Sequence, residues 1–224
     1  MKYLYETHMH TSRVSLCSDC SPVRQVRAYK DRGYAGIIIT DHFINGNSAC
    51  PPEIPWDKKM KFIASGYEEA KKEGDRCGLD VFFGWEFTID GMDFLTYGLS
   101  LDFLIQHPDI DTLTVEKYSA LVRSCGGFLA QAHPYRVARW IKNPYPANPQ
   151  LIDAAEVYNA SMPAETNKKA LHFAELHNLP ALAGSDSHYK SIPFASGIAL
   201  SKKAGSIFDI INAVKTREAK LILP

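Results

Sequence analysis

Tyr3-Leu4-Tyr5-Glu6-Thr7-His8-Met9-His10 is the stretch from which the fold can be read. Its aromatic and apolar opening suits a buried strand, and the two histidines that follow stand one residue apart. Side chains alternate along an extended chain, so positions i and i+2 project to the same side. Both imidazoles can therefore reach one ion from a strand end. One such pair is weak evidence, because an isolated strand-end histidine is more often a satisfied structural residue than a ligand.

Four further stretches repeat the arrangement. Thr40-Asp41-His42, Gly84-Trp85-Glu86, Gln131-Ala132-His133 and Gly184-Ser185-Asp186-Ser187-His188 each end an apolar, strand-like run with side chains that bind metals. Helical periodicity fills the intervals. Ser21-Pro22 caps a helix with Val23, Val26 and Tyr29 on one side, and residues 56–76 carry Met60, Ile63, Tyr67 and Ala70 at three- or four-residue spacing. Shorter helices are predicted over 101–106, 115–124, 164–177 and 206–216, and Asp90-Gly91 marks a hairpin turn. Strand, helix and strand in succession predict an α/β protein with a mostly parallel sheet and right-handed crossovers. Because the polar ends fall on several strands, a closed or nearly closed barrel explains them better than an open sheet, whose ligands gather at one switch point.

Two loops stand out. Residues 43–55, with Asn45-Gly46 and Pro51-Pro52, are long enough to cover a site. Residues 134–149 hold four prolines and a basic interval from Arg136 to Lys142.

Composition narrows the function. With 224 residues and 46% hydrophobic content, one domain over 1–224 with a substantial core is expected. Lys plus Arg equals Asp plus Glu at 25 each, which argues against polymeric nucleic acid as partner and against a charge-driven membrane contact. No apolar run approaches the roughly 20 residues of a membrane span, and no signal segment is evident, so a cytoplasmic location is expected. The five cysteines, at 17, 20, 50, 77 and 125, fit reduced thiols. Cys17-Ser18-Asp19-Cys20 has Cys-x-x-Cys spacing but no second pair to complete a four-thiolate site, so neither a zinc nor a redox role is predicted for its thiols.

In order and spacing, Thr7-His8-Met9-His10, Ser18-Asp19, Thr40-Asp41-His42, Gly84-Trp85-Glu86, Ala132-His133-Pro134 and Ser185-Asp186-Ser187-His188 resemble the PHP family, named for its polymerase and histidinol-phosphatase members. The resemblance covers nearly the whole chain. It implies a distorted (β/α)7 TIM-like barrel of PHP type holding two or three divalent ions, with Zn, Mn or Fe compatible with an all-His/Asp/Glu donor set. Carried over residue by residue, His8, His10, Glu86 and Asp186 hold one ion, Asp19, His42 and His188 a second, and Glu86 bridges. His133 and Glu86 contribute to a third site, where the family's further histidine has no counterpart. Asp93 is the available substitute there, with a turn role its equal alternative, and a weak or empty third site is the other reading. Asp41 is expected to support a histidine from behind, and Glu156 and Asn159 are read as structural.

The resemblance implies a catalytic centre of Glu86, Asp186 and His188 that hydrolyses a small phosphate ester. Arg136, three residues beyond His133, is the candidate substrate-binding cation, with Arg13 as its alternative. An amidohydrolase or deaminase on the same metal barrel, or a metal-binding regulatory module without turnover, are the competing readings.

Overall fold

The structure is a computed structural model that describes residues 2–139, 141, 144–189 and 196–223. Trp140 and Lys142, within the basic interval noted in the sequence, lie outside the described residues. The elements in chain order are β1 (Tyr3–Glu6), α1 (Pro22–Asp31), β2 (Gly36–Ile39), α2 (Trp56–Cys77), β3 (Asp80–Ile89), β4 (Met92–Tyr97), α3 (Leu101–Gln106), α4 (Val115–Ser124), β5 (Phe128–Gln131), β6 (Ala154–Asn159), α5 (Ala164–Leu176), β7 (Ala181–Gly184), β8 (Gly197–Leu200), α6 (Ile207–Lys215) and β9 (Lys220–Ile222).

The strands lie in the order β7-β6-β5-β4-β3-β2-β1-β8-β9. The sheet is less parallel than the strand-helix alternation predicts. The pairs β1·β2, β2·β3, β5·β6 and β6·β7 are parallel, whereas β4 runs antiparallel to both β3 and β5, and β8 antiparallel to β1 and β9. The cause is local: Asp90 and Gly91 both take positive φ, 53° and 81°, and fold β3 back on β4 as a hairpin. As a result Glu86 does not end its strand but sits within β3, opposite Leu95.

The sheet curls into a nearly closed barrel. Beyond β1 and β7 the chain pairs again at the mouth, where Met9 bridges Ser187. Asp186 N–H donates to His8 O at 2.8 Å and His10 N–H to Ser187 O at 3.0 Å. Glu6, fully buried, holds this seam: its Oε1 accepts the N–H groups of Thr7, His8 and Ser185, and its Oε2 accepts the Tyr29 hydroxyl.

Alternation along β2 shows how the layers form. Ile37 and Ile39 face Val26, Tyr29 and Ala70 of the covering helices α1 and α2. Ile38 faces inward, in a cluster with Tyr5, Leu95, Tyr97, Phe128 and Leu182. Helix α6 adds Ile210, Ile211 and Val214 to that inner cluster. It therefore fills the end of the barrel where β5 begins, and leaves the opposite mouth to polar side chains. Ser21 caps α1 as the sequence predicts and Thr114 caps α4, each accepting the N–H three residues on. Among the described residues no helix is long and apolar enough to cross a membrane.

Candidate metal centre

Seven of the eight residues proposed as ligands converge at the mouth. His8 and His10 come from the extension of β1, His42 from that of β2, Glu86 from β3, His133 from the turn after β5, and Asp186 and His188 from the turn after β7. Among the described residues, their ligand atoms form four groupings, each within 4.8 Å: His8-His10-Glu86, His8-His133-Asp186, His10-His42-His188 and Glu86-Asp93-His133. Asp93 thus joins Glu86 and His133, as a substitute in the third site would. Asp19 does not join them. Its side chain is exposed, and its N–H donates to His188 O at 2.9 Å.

The backbone is bent to make this convergence. His133 and Asp186 adopt positive φ, 27° and 52°, in a region that side chains other than glycine rarely occupy. Both are held there by hydrogen bonds: His133 N–H donates to Glu156 Oε2 at 2.8 Å, and Asp186 N–H to His8 O.

Hydrogen bonds behind the ligands fix their tautomers. His8 Nδ1–H donates to Glu156 Oε1 at 3.0 Å. Ser15 gives its hydroxyl proton to Asp41 Oδ1 at 2.7 Å, so at 3.1 Å from His10 Nδ1 it can only accept, and His10 Nδ1 carries the proton. Asp41 is itself held by the N–H and hydroxyl of Thr11, both at 2.6 Å, which gives it the supporting role expected of it; burial pushes its carboxyl up to about 6. His188 Nδ1–H donates to Asp186 O at 2.8 Å. Each of these three rings therefore turns Nε2 into the site.

This geometry fits a cation. The Nε2 atoms of His8 and His10 face one another at 3.2 Å with their Nδ1 protons already committed, so two lone pairs converge. Three buried atoms aimed at the same space, His42 Nδ1, Glu86 Oε2 and Asp186 Oδ1, have no hydrogen-bond partner. Burial and the neighbouring His188 and His42 hold His10 well below the ordinary imidazole range, which keeps it a neutral donor. Burial opposes ionisation of Glu86 and Asp186, but the surrounding histidines prevail and hold both carboxyls well below the usual range. Asp93 is pushed upward by burial and by Glu86, with His133 and Arg136 pulling the other way.

A cavity of about 560 Å³ opens onto these ligands, a volume suited to a small molecule. Asn45, Gly46, Asn47 and Arg136 line it, so the 43–55 loop does reach the site. Arg136 sets Nη1 3.3 Å from Asp93 Oδ2. Arg13 instead contacts Ser65 and the Phe62 ring.

Sequence reasoning gives three contributors no place at the site. Glu156 and Glu6 are fully buried carboxylates in strands, which composition alone does not separate from exposed ones, although Glu156 follows the same strand-end rule as the ligands. Cys17 lines the cavity beside His42 and His188. One glycine is also part of the support. A Cβ at Gly66 in α2 would lie 2.2 Å from Asp41 Oδ2 and 2.7 Å from Thr11 Oγ1. Gly66→Ala should therefore lower the melting temperature, even though alanine is the better helix former by about 0.8–1.0 kcal/mol. Overpacking costs about 1–3 kcal/mol, and each kcal/mol is about 2–4 °C in a chain of this size. Thermal denaturation showing an unchanged or higher midpoint would mean that the Asp41 contact yields freely.

A family model described as PHP-associated matches residues 164–191. Comparison with curated protein sequences gives no match. Among solved structures, the chain is similar to a two-domain protein of Bacteroides vulgatus ATCC 8482 containing a predicted PHP-like metal-dependent phosphoesterase, with TM-score 0.76 and 16% identity over 100% of this chain. This chain spans 65% of that protein's length. It is also similar to PsfC of Pseudomonas syringae PB-5123, with TM-score 0.66 and 17% identity over 100% of this chain and 92% of that one. An amidohydrolase of Chromobacterium violaceum, solved with bound sulfate and no metal, gives TM-score 0.57 and 14% identity over 94% of this chain and 96% of its own. At these identities the structural likeness is one of fold. The matched segment is likewise similar to a PHP-associated one, so the chain resembles PHP-like proteins in fold and over residues 164–191.

Proposed function

We propose that the protein is a metal-dependent hydrolase of small phosphate esters. The observation that carries this reading is the sharing of ligands: Glu86 belongs to two of the four groupings, beside a cavity whose rim carries a guanidinium. Sharing suits more than one ion, and two close cations with an arginine suit a dianionic phosphoryl group. The Bacteroides relative's phosphoesterase description, and the sulfate bound to the Chromobacterium relative, support an oxyanion substrate.

His8, His10, His42, Glu86, His133, Asp186 and His188 would hold the ions, which supply Lewis acidity and lower the pKa of water. The rest falls to the chain's own groups. Arg136 Nη1, now on Asp93, is placed to turn to a phosphoryl oxygen and orient it. Asp186, kept anionic, is placed to orient the attacking water as the water oxygen forms the new P–O bond and releases its proton to solvent. The bond to the alcohol breaks, and the leaving oxygen takes its proton from solvent.

The test is reconstitution with Zn, Mn or Fe, elemental analysis, and a panel of small phosphomonoesters and phosphodiesters. At least two ions per chain and phosphate release that a chelator abolishes are expected. No bound metal after reconstitution, or metal without phosphate release while amides are cleaved, would overturn the proposal. The second of these outcomes would favour the amidohydrolase reading that the Chromobacterium relative raises. Arg136→Ala should lower kcat/KM about ten- to a hundredfold, the equivalent of a charge-assisted hydrogen bond of about 1.5–3 kcal/mol, with metal content retained. Arg136→Lys should recover part of that loss, and an unchanged kcat/KM in the alanine variant would remove Arg136 from the substrate site.

A further inference from the structure

Cys17, like Asp93, is a metal-binding type of side chain at the cavity that the ligand set proposed above leaves out. It lines the cavity together with His42, His188, Glu86 and Asp186. The loop that carries it is tied down from behind. Ser18 Oγ–H and Asp19 N–H both donate to His188 O, at 2.8 and 2.9 Å, which turns residue 17 to the cavity and leaves the Asp19 side chain exposed.

Two further observations point to a ligand at this spot. His10, His42 and His188 offer three nitrogens within 4.8 Å of one another, with no carboxylate in the grouping. His42 Nδ1 and Glu86 Oε2, on side chains only 10% and 1% exposed, lie 2.7 Å apart at the same cavity, and neither makes a hydrogen bond of good geometry.

We propose that Cys17 supplies a thiolate to the ion held by His10, His42 and His188. The site then has a three-histidine, one-cysteine donor set that selects a borderline or soft cation such as Zn(II) or Fe(II) over Mn(II) or Mg(II). This rests on the metal-dependent reading above and changes which residue completes the second site, Cys17 in place of Asp19. On binding, the thiol proton passes to solvent and the sulfur donates the retained electron pair to the ion. Three neutral imidazoles bring no charge to a dication, and the thiolate would supply an anion.

The test loads the full chain with Co(II) and reads the near-ultraviolet thiolate-to-cobalt absorption, alongside zinc affinity by competition with a chromophoric chelator. The band should be present in the wild type, Cys20→Ser and Asp19→Asn, and absent in Cys17→Ser. Zinc affinity in Cys17→Ser should fall by at least the ten- to hundredfold that loss of an outer-sphere partner costs. Cys17→Asp should bind metal again with its preference moved from zinc toward manganese, which keeps the test decisive where serine disturbs the loop. Cobalt bound by the wild type without the band would overturn the thiolate and leave the metal reading standing. So would zinc lost from Asp19→Asn but kept in Cys17→Ser. A wild type that binds no cation at all would overturn both.

Discussion

Glu86→Ala should leave a chain that folds but retains at least one ion fewer and loses nearly all turnover. The carboxylate is 1% exposed and lies among four imidazoles: Oε1 is 3.1 Å from His133 Nε2 and 3.4 Å from His8 Nε2, and Oε2 is 2.7 Å from His42 Nδ1 and 3.5 Å from His10 Nε2. Among the described residues, no other side chain belongs to both the His8-His10 grouping and the Asp93-His133 grouping. Removing one partner from a buried ionic cluster costs about 3–5 kcal/mol, which is roughly 10²- to 10⁴-fold in an affinity or rate constant. The backbone pairing of β3 with β4 does not use this side chain, so the fold should survive, as circular dichroism can check. Glu86→Gln should fall between, because the amide keeps one oxygen donor and loses the charge. Metal content after dialysis and phosphate release are the measurements. Near wild-type values for both in the alanine variant would remove Glu86 from the centre.

How much of this was legible in the sequence depends on how local the physics is. Side-chain alternation and strand ends are local, so the spacing of His8 and His10, and the residues closing the runs at His42, His133 and Asp186, announced the mouth of a barrel. Helix limits were equally local: α3 and α4 begin and end where capping and periodicity put them. The antiparallel insertion of β4 was half visible, since Asp90-Gly91 marked a turn, but its pairing with β5 on the far side is a tertiary fact. Asp19 and Cys17 show where motif reading stops. Both sit in one short loop, and the side chain that turns inward is decided by hydrogen bonds to His188 O, some 170 residues away in the chain. Ser15 was silent for the same reason. A serine in a loop has no signature until Asp41, His42 N–H and His10 are seen around its oxygen.

Glu156 supports the second large prediction, because its two oxygens are both committed as acceptors. Oε1 takes His8 Nδ1–H at 3.0 Å, and Oε2 takes His133 N–H at 2.8 Å and Asn159 Nδ2–H at 2.9 Å. Every neighbour is a donor, so Glu156→Gln, ordinarily a mild change, cannot be accommodated. If the amide oxygen faces His8, its NH2 meets two more donors. If it is flipped, the NH2 meets the imidazole N–H, and His8 must surrender its tautomer or its orientation. The first outcome frees the His133 backbone from the bond that holds its φ of 27°, and the second turns His8 Nε2 away from Glu86 and Asp186. A buried donor left without an acceptor costs about 1–3 kcal/mol, and loss of a partner behind a ligand costs about ten- to a hundredfold in metal affinity or activity. Glu156→Gln should therefore lose zinc affinity by that factor, and melt lower by about 2–4 °C for each kcal/mol, without touching substrate. Added zinc should restore part of the turnover, since the defect is in holding the ion, whereas excess zinc should not rescue Arg136→Ala. Wild-type zinc affinity and melting temperature in Glu156→Gln would show that His8 and His133 hold their places without this carboxylate.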